Sequence, residues 1–181
     1  MRPRHPAPAE VRARWLSSGA WTDDTPLHRL LGAAPEAPAL VDGEERLDLG
    51  TLRDRAGNLG GALIAEHGVR PGDIVTWQLP NWWEAIALTY ACWWIGAIPS
   101  PITPTLREHE VGFILRATAA RLHVVPGSFR GTDYADLARR GGWDGPILTI
   151  RGDHPLPRGE AAPPQDPHPD AAAVILWTSG T

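Results

Sequence analysis

The sequence predicts an α/β fold with a mainly parallel sheet flanked by helices. Three observations lead there. Segments of helical periodicity alternate with short apolar runs from residue 49 onward, the pattern of strand–helix–strand units. A hydrophobic content of 43% over 181 residues is enough for one real core. The uncharged run Ala171-Ala-Ala-Val-Ile-Leu176 reads as a buried-type strand and passes directly into Trp177-Thr-Ser-Gly-Thr181. In such sheets ligands sit beyond the carboxyl ends of the strands.

Taken in order, residues 1–26 are rich in Pro and Arg and read as an extension with a short helix around Ala9–Leu16. Ala39 to Asp48 reads as two short strands around an Asp42-Gly43 turn, a common hairpin dipeptide. Asp48 is placed to cap a helix starting near Leu49. Leu52, Ala56, Leu59, Leu63 and Ile64 follow helical spacing, and His67-Gly68 supplies a glycine stop. A turn over Val69–Asp73 precedes a strand over Ile74–Leu79. Asn81, with Glu84 three positions on, predicts the cap of an apolar, deeply buried helix reaching Trp94.

Ile98–Ile102 is expected to be stiff and extended, because each proline fixes its own φ and biases its predecessor away from helix. Thr105-Leu-Arg-Glu108 reads as a capping box for a helix running to about Ala119, with Val111, Ile114 and Leu115 inward. Strands are expected over Arg121–Pro126 and Pro146–Ile150, with a short helix over Tyr134–Arg140. Residues 27–150 thus form an α/β subdomain. Residues 151–170 read as an exposed Pro-rich linker, and 171–181 as the final strand and its loop.

Charge and composition exclude several functions. All 17 basic residues are Arg, so no lysine is available as phosphate ligand, base or nucleophile. The net charge of −4 and the lack of a basic cluster argue against a nucleic-acid partner. Cys92 stands alone, which rules out an internal disulfide, and its apolar context reads as a small buried hydrophobe. The first residues have no apolar signal-type region, and Pro99, Pro101 and Pro104 break the longest uncharged stretch, so no membrane span is expected. A cytoplasmic protein is the expectation.

The candidate binding residues are Thr178, Ser179, Gly180 and Thr181. A buried strand opening into hydroxyl residues and glycine is how a phosphate-binding loop begins. Backbone N–H groups and hydroxyl donors can wrap phosphate oxygens there with no side chain in the way. Other candidates read more plainly. The doublets Trp82-Trp83 and Trp93-Trp94 are expected in the core. His109 is expected to be a solvated first-turn residue, Arg107 and Arg116 surface charges, and Asp166, His168 and Asp170 part of the solvated linker. No catalytic and no metal-ligating residue is singled out.

Three stretches together resemble the adenylate-forming (AMP-binding) superfamily of acyl- and aryl-CoA synthetases, peptide-synthetase adenylation domains and luciferases. They are Gly68-Val-Arg-Pro-Gly-Asp-Ile-Val-Thr-Trp-Gln-Leu-Pro-Asn81, Trp94-Ile-Gly-Ala-Ile-Pro-Ser-Pro-Ile-Thr-Pro-Thr-Leu-Arg107 and Thr178-Ser-Gly-Thr181. The last looks like the opening of that family's phosphate loop, which ordinarily continues through Thr-Gly-x-Pro-Lys. Within the family, Gln78–Glu84 and Pro104–Val111 are most similar to medium-chain and cyclohexanecarboxylate-type CoA ligases. The resemblance implies the first part of the large amino-terminal domain of such an enzyme. It also implies ATP, Mg²⁺, CoA and a small carboxylic acid as cofactors and substrates. The implied reaction forms an acyl-adenylate and transfers the acyl group to CoA. The resemblance further implies that the adenine-contacting segment, the metal-binding Glu, the ribose-binding Asp and the carboxyl-terminal lysine lie outside these residues, so the chain alone is expected to be inactive. The alternatives are a non-catalytic remnant or binding module, and an adenylation domain that loads a carrier protein.

Overall fold

The structure is a computed structural model and describes residues 8–22, 26–32, 34–168 and 171–178. Helix α1 (Ala9–Ser17) buries none of its residues. A short 3-10 turn at Leu27–Leu31 sets His28 and Leu31 inward. Strands β1 (Pro38–Asp42) and β2 (Glu45–Asp48) form an antiparallel hairpin. Its turn residues are Gly43 and Glu44, one position later than the dipeptide suggested, so Asp42 ends a strand.

Helix α2 (Leu49–His67) starts as expected, with Asp48 Oδ1 accepting from Thr51 N–H at 2.6 Å. It stops at Gly68, whose φ of +61° lets its N–H reach back to the Ile64 carbonyl. Leu52, Ala56, Leu59 and Leu63 are buried, but Ile64 is 43% exposed. At 100° per residue Ile64 sits about 110° away from the centre of that stripe, so it falls on the solvent side.

Four strands, β3 (Ile74–Trp77), β4 (Ile98–Pro101), β5 (Leu122–Pro126) and β6 (Ile147–Ile150), form a wholly parallel sheet in the order β4-β3-β5-β6. Helices α3 (Trp83–Trp94), α4 (Glu108–Thr118) and α5 (Tyr134–Arg140) make the crossovers. Val75, Trp77, Leu122, Val124 and Ile150 pack with α2 and α3 in one core. On the other face Val111, Ile114, Leu115, Leu137 and Ala138 of α4 and α5 make a second. The expected α/β architecture is therefore present, with helices on both faces.

Two helix starts differ from the sequence reading. Asn81 does not cap α3. The Trp83 N–H donates instead to Asp42 Oδ2 at 3.1 Å, and Glu84 turns toward Arg151. Helix α4 begins at Glu108, with Glu110 Oε2 accepting from the Arg107 N–H at 3.2 Å. Thr105 is held out of the helix because Leu106 N–H closes a turn onto the Thr103 carbonyl, and the buried Gln78 amide donates to both the Thr103 and Leu106 carbonyls.

The segment after β6, expected as an exposed linker, is largely exposed but lies along α2 and α3. Residues 151–168 have no helix or strand, yet Gly159 N–H donates to Asn58 O, Ala162 N–H to Gly57 O and Gln165 N–H to Trp94 O. Leu156 and Ala162 pack on the α2–α3 core. This strap crosses the outside of α2 and α3.

Candidate functional site

Residues 171–178 were expected to form a strand. They run beside β4 in its direction but join it through one backbone bond, Ile175 N–H to Pro99 O at 3.0 Å. The cause is the sequence of β4. Ile98 and Ile102 turn their N–H groups toward β3. The alternate positions, which face the open edge, are Pro99 and Pro101, and proline has no N–H. A neighbour can donate into that edge but receives nothing back, so no ladder forms.

Side chains complete the attachment. Trp177 Nε1 donates to Ser100 Oγ at 3.0 Å, and its ring meets Phe113 of α4 edge to face at 6.4 Å. Thr178 follows, exposed, at the carboxyl end of β4. Of the candidate loop residues, Thr178 is thus placed; Ser179, Gly180 and Thr181 lie outside the described residues.

Beneath Trp177 lies a polar row that the sequence did not single out. Ser100, Thr76 and His123 occupy paired positions on β4, β3 and β5, and all are fully buried. Thr76 Oγ1 lies 2.9 Å from His123 Nδ1 and donates to the Leu122 carbonyl. Burial lowers the His123 pKa to about 4.

The rim of the sheet at the carboxyl ends holds a second cluster. Arg151, just after β6, donates through Nη2 to Asp42 Oδ2 at 2.5 Å and through Nε to Glu84 Oε1 at 2.7 Å. Its guanidinium stacks 4.0 Å over the Trp82 ring, which meets Phe129 of the β5–α5 loop edge to face. Glu84 is 5% exposed. This cation fastens the hairpin, the start of α3 and the end of β6 together. Contacts spanning 67 and 109 residues leave no local signal by which spacing could have found them.

The remaining candidates fall as follows. His109, Arg107 and Arg116 are exposed, and Arg116 donates to the Gly141 carbonyl. Asp166 pairs with Arg29 at 2.9 Å and lies 3.7 Å from His28 Nε2, so it holds the strap against the 3-10 turn. Cys92 is buried and its thiol is pushed up by desolvation, which makes it inert. Trp93 and Trp94 are half-buried, and each places its indole N–H on the strap or the segment after it. A cavity of about 560 Å³ lies between the strap and the 3-10 turn, lined by His28, Pro71, Trp93, Gly96 and Ala97 among others. It sits at the amino-terminal end of β4, away from Thr178. Among the described residues no helix is long and apolar enough to cross a membrane.

In a parallel sheet covered on both faces, ligands sit beyond the carboxyl ends of the strands, and Thr178 lies at that end of β4. The comparisons resolve the class further. Residues 28–181 match the family described as AMP-binding enzyme, and the chain belongs to that family. It is 37% identical over 138 residues to a 2-hydroxy-7-methoxy-5-methyl-1-naphthoate–CoA ligase of Streptomyces carzinostaticus, covering 74% of this chain and 24% of that protein. It is 31% identical to a salicyl-AMP ligase / salicyl-S-ArCP synthetase of Mycobacterium tuberculosis, covering 97% and 34%. A medium-chain fatty-acid–CoA ligase of Escherichia coli matches at 29%, covering 70% and 23%. Among solved structures, apo MbtA of Mycobacterium smegmatis superposes with a TM-score of 0.79 at 28% identity, over 98% of this chain and 35% of that one. The chain spans about a quarter to a third of the length of these curated relatives.

Proposed function

We propose that this chain is the amino-terminal part of an ATP-dependent acid–thiol ligase, which activates a carboxylic acid as its adenylate and passes the acyl group to CoA. In this reading Thr178, Ser179, Gly180 and Thr181 open the loop that binds the phosphates of ATP. Residues 27–150 are the α/β subdomain that carries it. The observation that supports the reading most is the attachment of Ile175–Thr178 along β4, which sets Thr178 at the carboxyl end of a parallel sheet, within a family match that runs to residue 181. The proposed role of Thr178 is to donate its hydroxyl to a phosphate oxygen as negative charge shifts between phosphates. Among the described residues no group of three His, Cys, Asp or Glu side chains is placed to hold a metal. The Mg²⁺ of the reaction is proposed to arrive with the nucleotide.

For the acid, hydroxyaryl carboxylates take precedence over medium-chain fatty acids, because naphthoate and salicylate are named for relatives at 37% and 31% identity. A carrier-protein thiol is the second reading for the acceptor, favoured by the salicyl-S-ArCP synthetase match over 97% of the chain. ATP–pyrophosphate exchange, measured in the protein that contains this chain with a downstream adenylate-forming region, tests the activity. Exchange with salicylate or a hydroxynaphthoate supports the proposal, and CoA and a phosphopantetheinylated carrier then compete as acceptors. Exchange with no carboxylic acid refutes it.

A further inference from the structure

The two tryptophans at the end of α3 do more than fill the core. Trp94 Nε1 donates to the Ala162 carbonyl at 2.7 Å, and its own carbonyl accepts from Gln165 N–H at 2.7 Å. Trp93 Nε1 donates to the Ala173 carbonyl, also at 2.7 Å. Two residues beyond Ala173, Ile175 makes the lone backbone bond to β4, and two beyond that Trp177 reaches Ser100. Five hydrogen bonds, at Ala162, Gln165, Ala173, Ile175 and Trp177, therefore follow one another from the strap to Thr178.

The attachment depends on them because β4 offers so little. An edge of Pro99 and Pro101 gives a neighbouring segment no donor, so the position of 171–178 cannot be set by a ladder. Trp177 packs against the α4–α5 core, but the rest of the segment gains little from packing: Val174 is 39% and Leu176 71% exposed. Upstream, α2 is shaped to receive the strap. A Cβ on Gly61 would fall inside the contact distance of the Glu160 carbonyl oxygen, so glycine is what lets the strap lie on the helix.

We propose that Trp93 and Trp94 are positioning residues, whose indole N–H groups hold the strap and the segment after it and so register Ile175–Thr178 against β4. The functional weight of this rests on the reading of Thr178 as the start of a phosphate loop. Trp93 holds the segment directly. Trp94 acts one step earlier, through the strap.

Trp93→Phe tests it, since a phenyl ring keeps an aromatic face toward Tyr90, 5.1 Å away in the native pair, and removes the donor together with part of the indole's area. Amide hydrogen exchange of the 181-residue chain is the readout. Losing one hydrogen bond of ordinary strength should speed exchange at the Ile175 N–H roughly five- to tenfold, with the Val124 amide in the core unchanged. Trp94→Phe should do the same at Gln165 and Ala162. Trp143→Phe, which loses an indole contact to Pro146 O elsewhere, is the control. Should Trp93→Phe not fold, benzothienylalanine at 93 keeps the indole shape without the N–H. Unchanged exchange at Ile175, or acceleration spread evenly over the core, overturns the proposal. Thr178→Val, assayed by ATP–pyrophosphate exchange in the protein that contains this chain, separates the two readings. If its ATP dependence is unchanged while Trp93→Phe frees Ile175, the clamp stands and the phosphate-loop reading falls.

Discussion

Acidification should weaken this fold through His123. Its imidazole is fully buried between β3 and the α4–α5 layer, with Nδ1 2.9 Å from Thr76 Oγ1. A ring proton on Nδ1, with the Thr76 hydroxyl donating to the Leu122 carbonyl at 3.2 Å, is the arrangement that satisfies both contacts at once. Nε2 is left facing no partner. A second proton there would place a buried charge and an N–H with no acceptor. Desolvation accordingly lowers the pKa from 6.5 to about 4, opposed only by the contact with Thr76. Between those two values the unfolded chain binds the proton and the folded chain does not. Stability from this group is therefore complete above pH 6.5, falls as the pH drops toward 4 and levels off below it. At about 1.4 kcal/mol per pH unit the full loss is roughly 3 kcal/mol.

The assay is urea unfolding followed by tryptophan fluorescence at half-unit steps from pH 7 to 4, in wild type and in His123→Val. Valine suits the interior of a parallel strand and leaves the Thr76–Leu122 bond intact. The variant should lose most of the slope, whatever its absolute stability, because the other titrating groups, His28 included, are common to both proteins. Equal slopes in the two proteins would refute the reasoning.

Arg151→Met should destabilise the chain by about 2–4 kcal/mol, because it leaves Glu84 buried opposite no cation; adding Glu84→Gln should restore part of that in the same urea titration. Gly61→Ala should cost about 1–3 kcal/mol by pushing the strap off α2, and limited proteolysis should then cut between 157 and 165 before any core segment. Trp177→Phe should remove about 1 kcal/mol of attachment at Ser100, read as faster amide exchange at the Ile175 N–H. Thr178→Val should weaken ATP in the exchange assay with little effect on folding, since Thr178 is exposed; unchanged ATP dependence would count against its place in the loop.

Much of the fold was legible because its signals are local. Asp48 and Gly68 mark both ends of α2 within a few residues of the bonds they make. Tyr134–Arg140 was bounded correctly because Asp133 accepts from Asp136 N–H at one end and Gly141 follows the other. The misplaced starts have non-local causes. Asn81 lost its capping role to Asp42, which lies 41 residues before the Trp83 N–H it accepts, and Thr105 was kept out of α4 by Gln78. Ile64 shows the limit of counting apolar residues without tracking the helical angle.

The sequence by itself determined the class: strand and helix signals in alternation, family stretches in order, and a hydroxyl-rich ending after an apolar run. Those depend on periodicity, turn chemistry and residue type, which a short window contains. Tertiary structure decided how that ending is held. The fate of 171–178 turned on which way the N–H groups of β4 face, and that is known only once β3 is paired on its other side. Two prolines that read as mere stiffness became an edge without donors, and two tryptophans that read as core became the clamps that compensate for it.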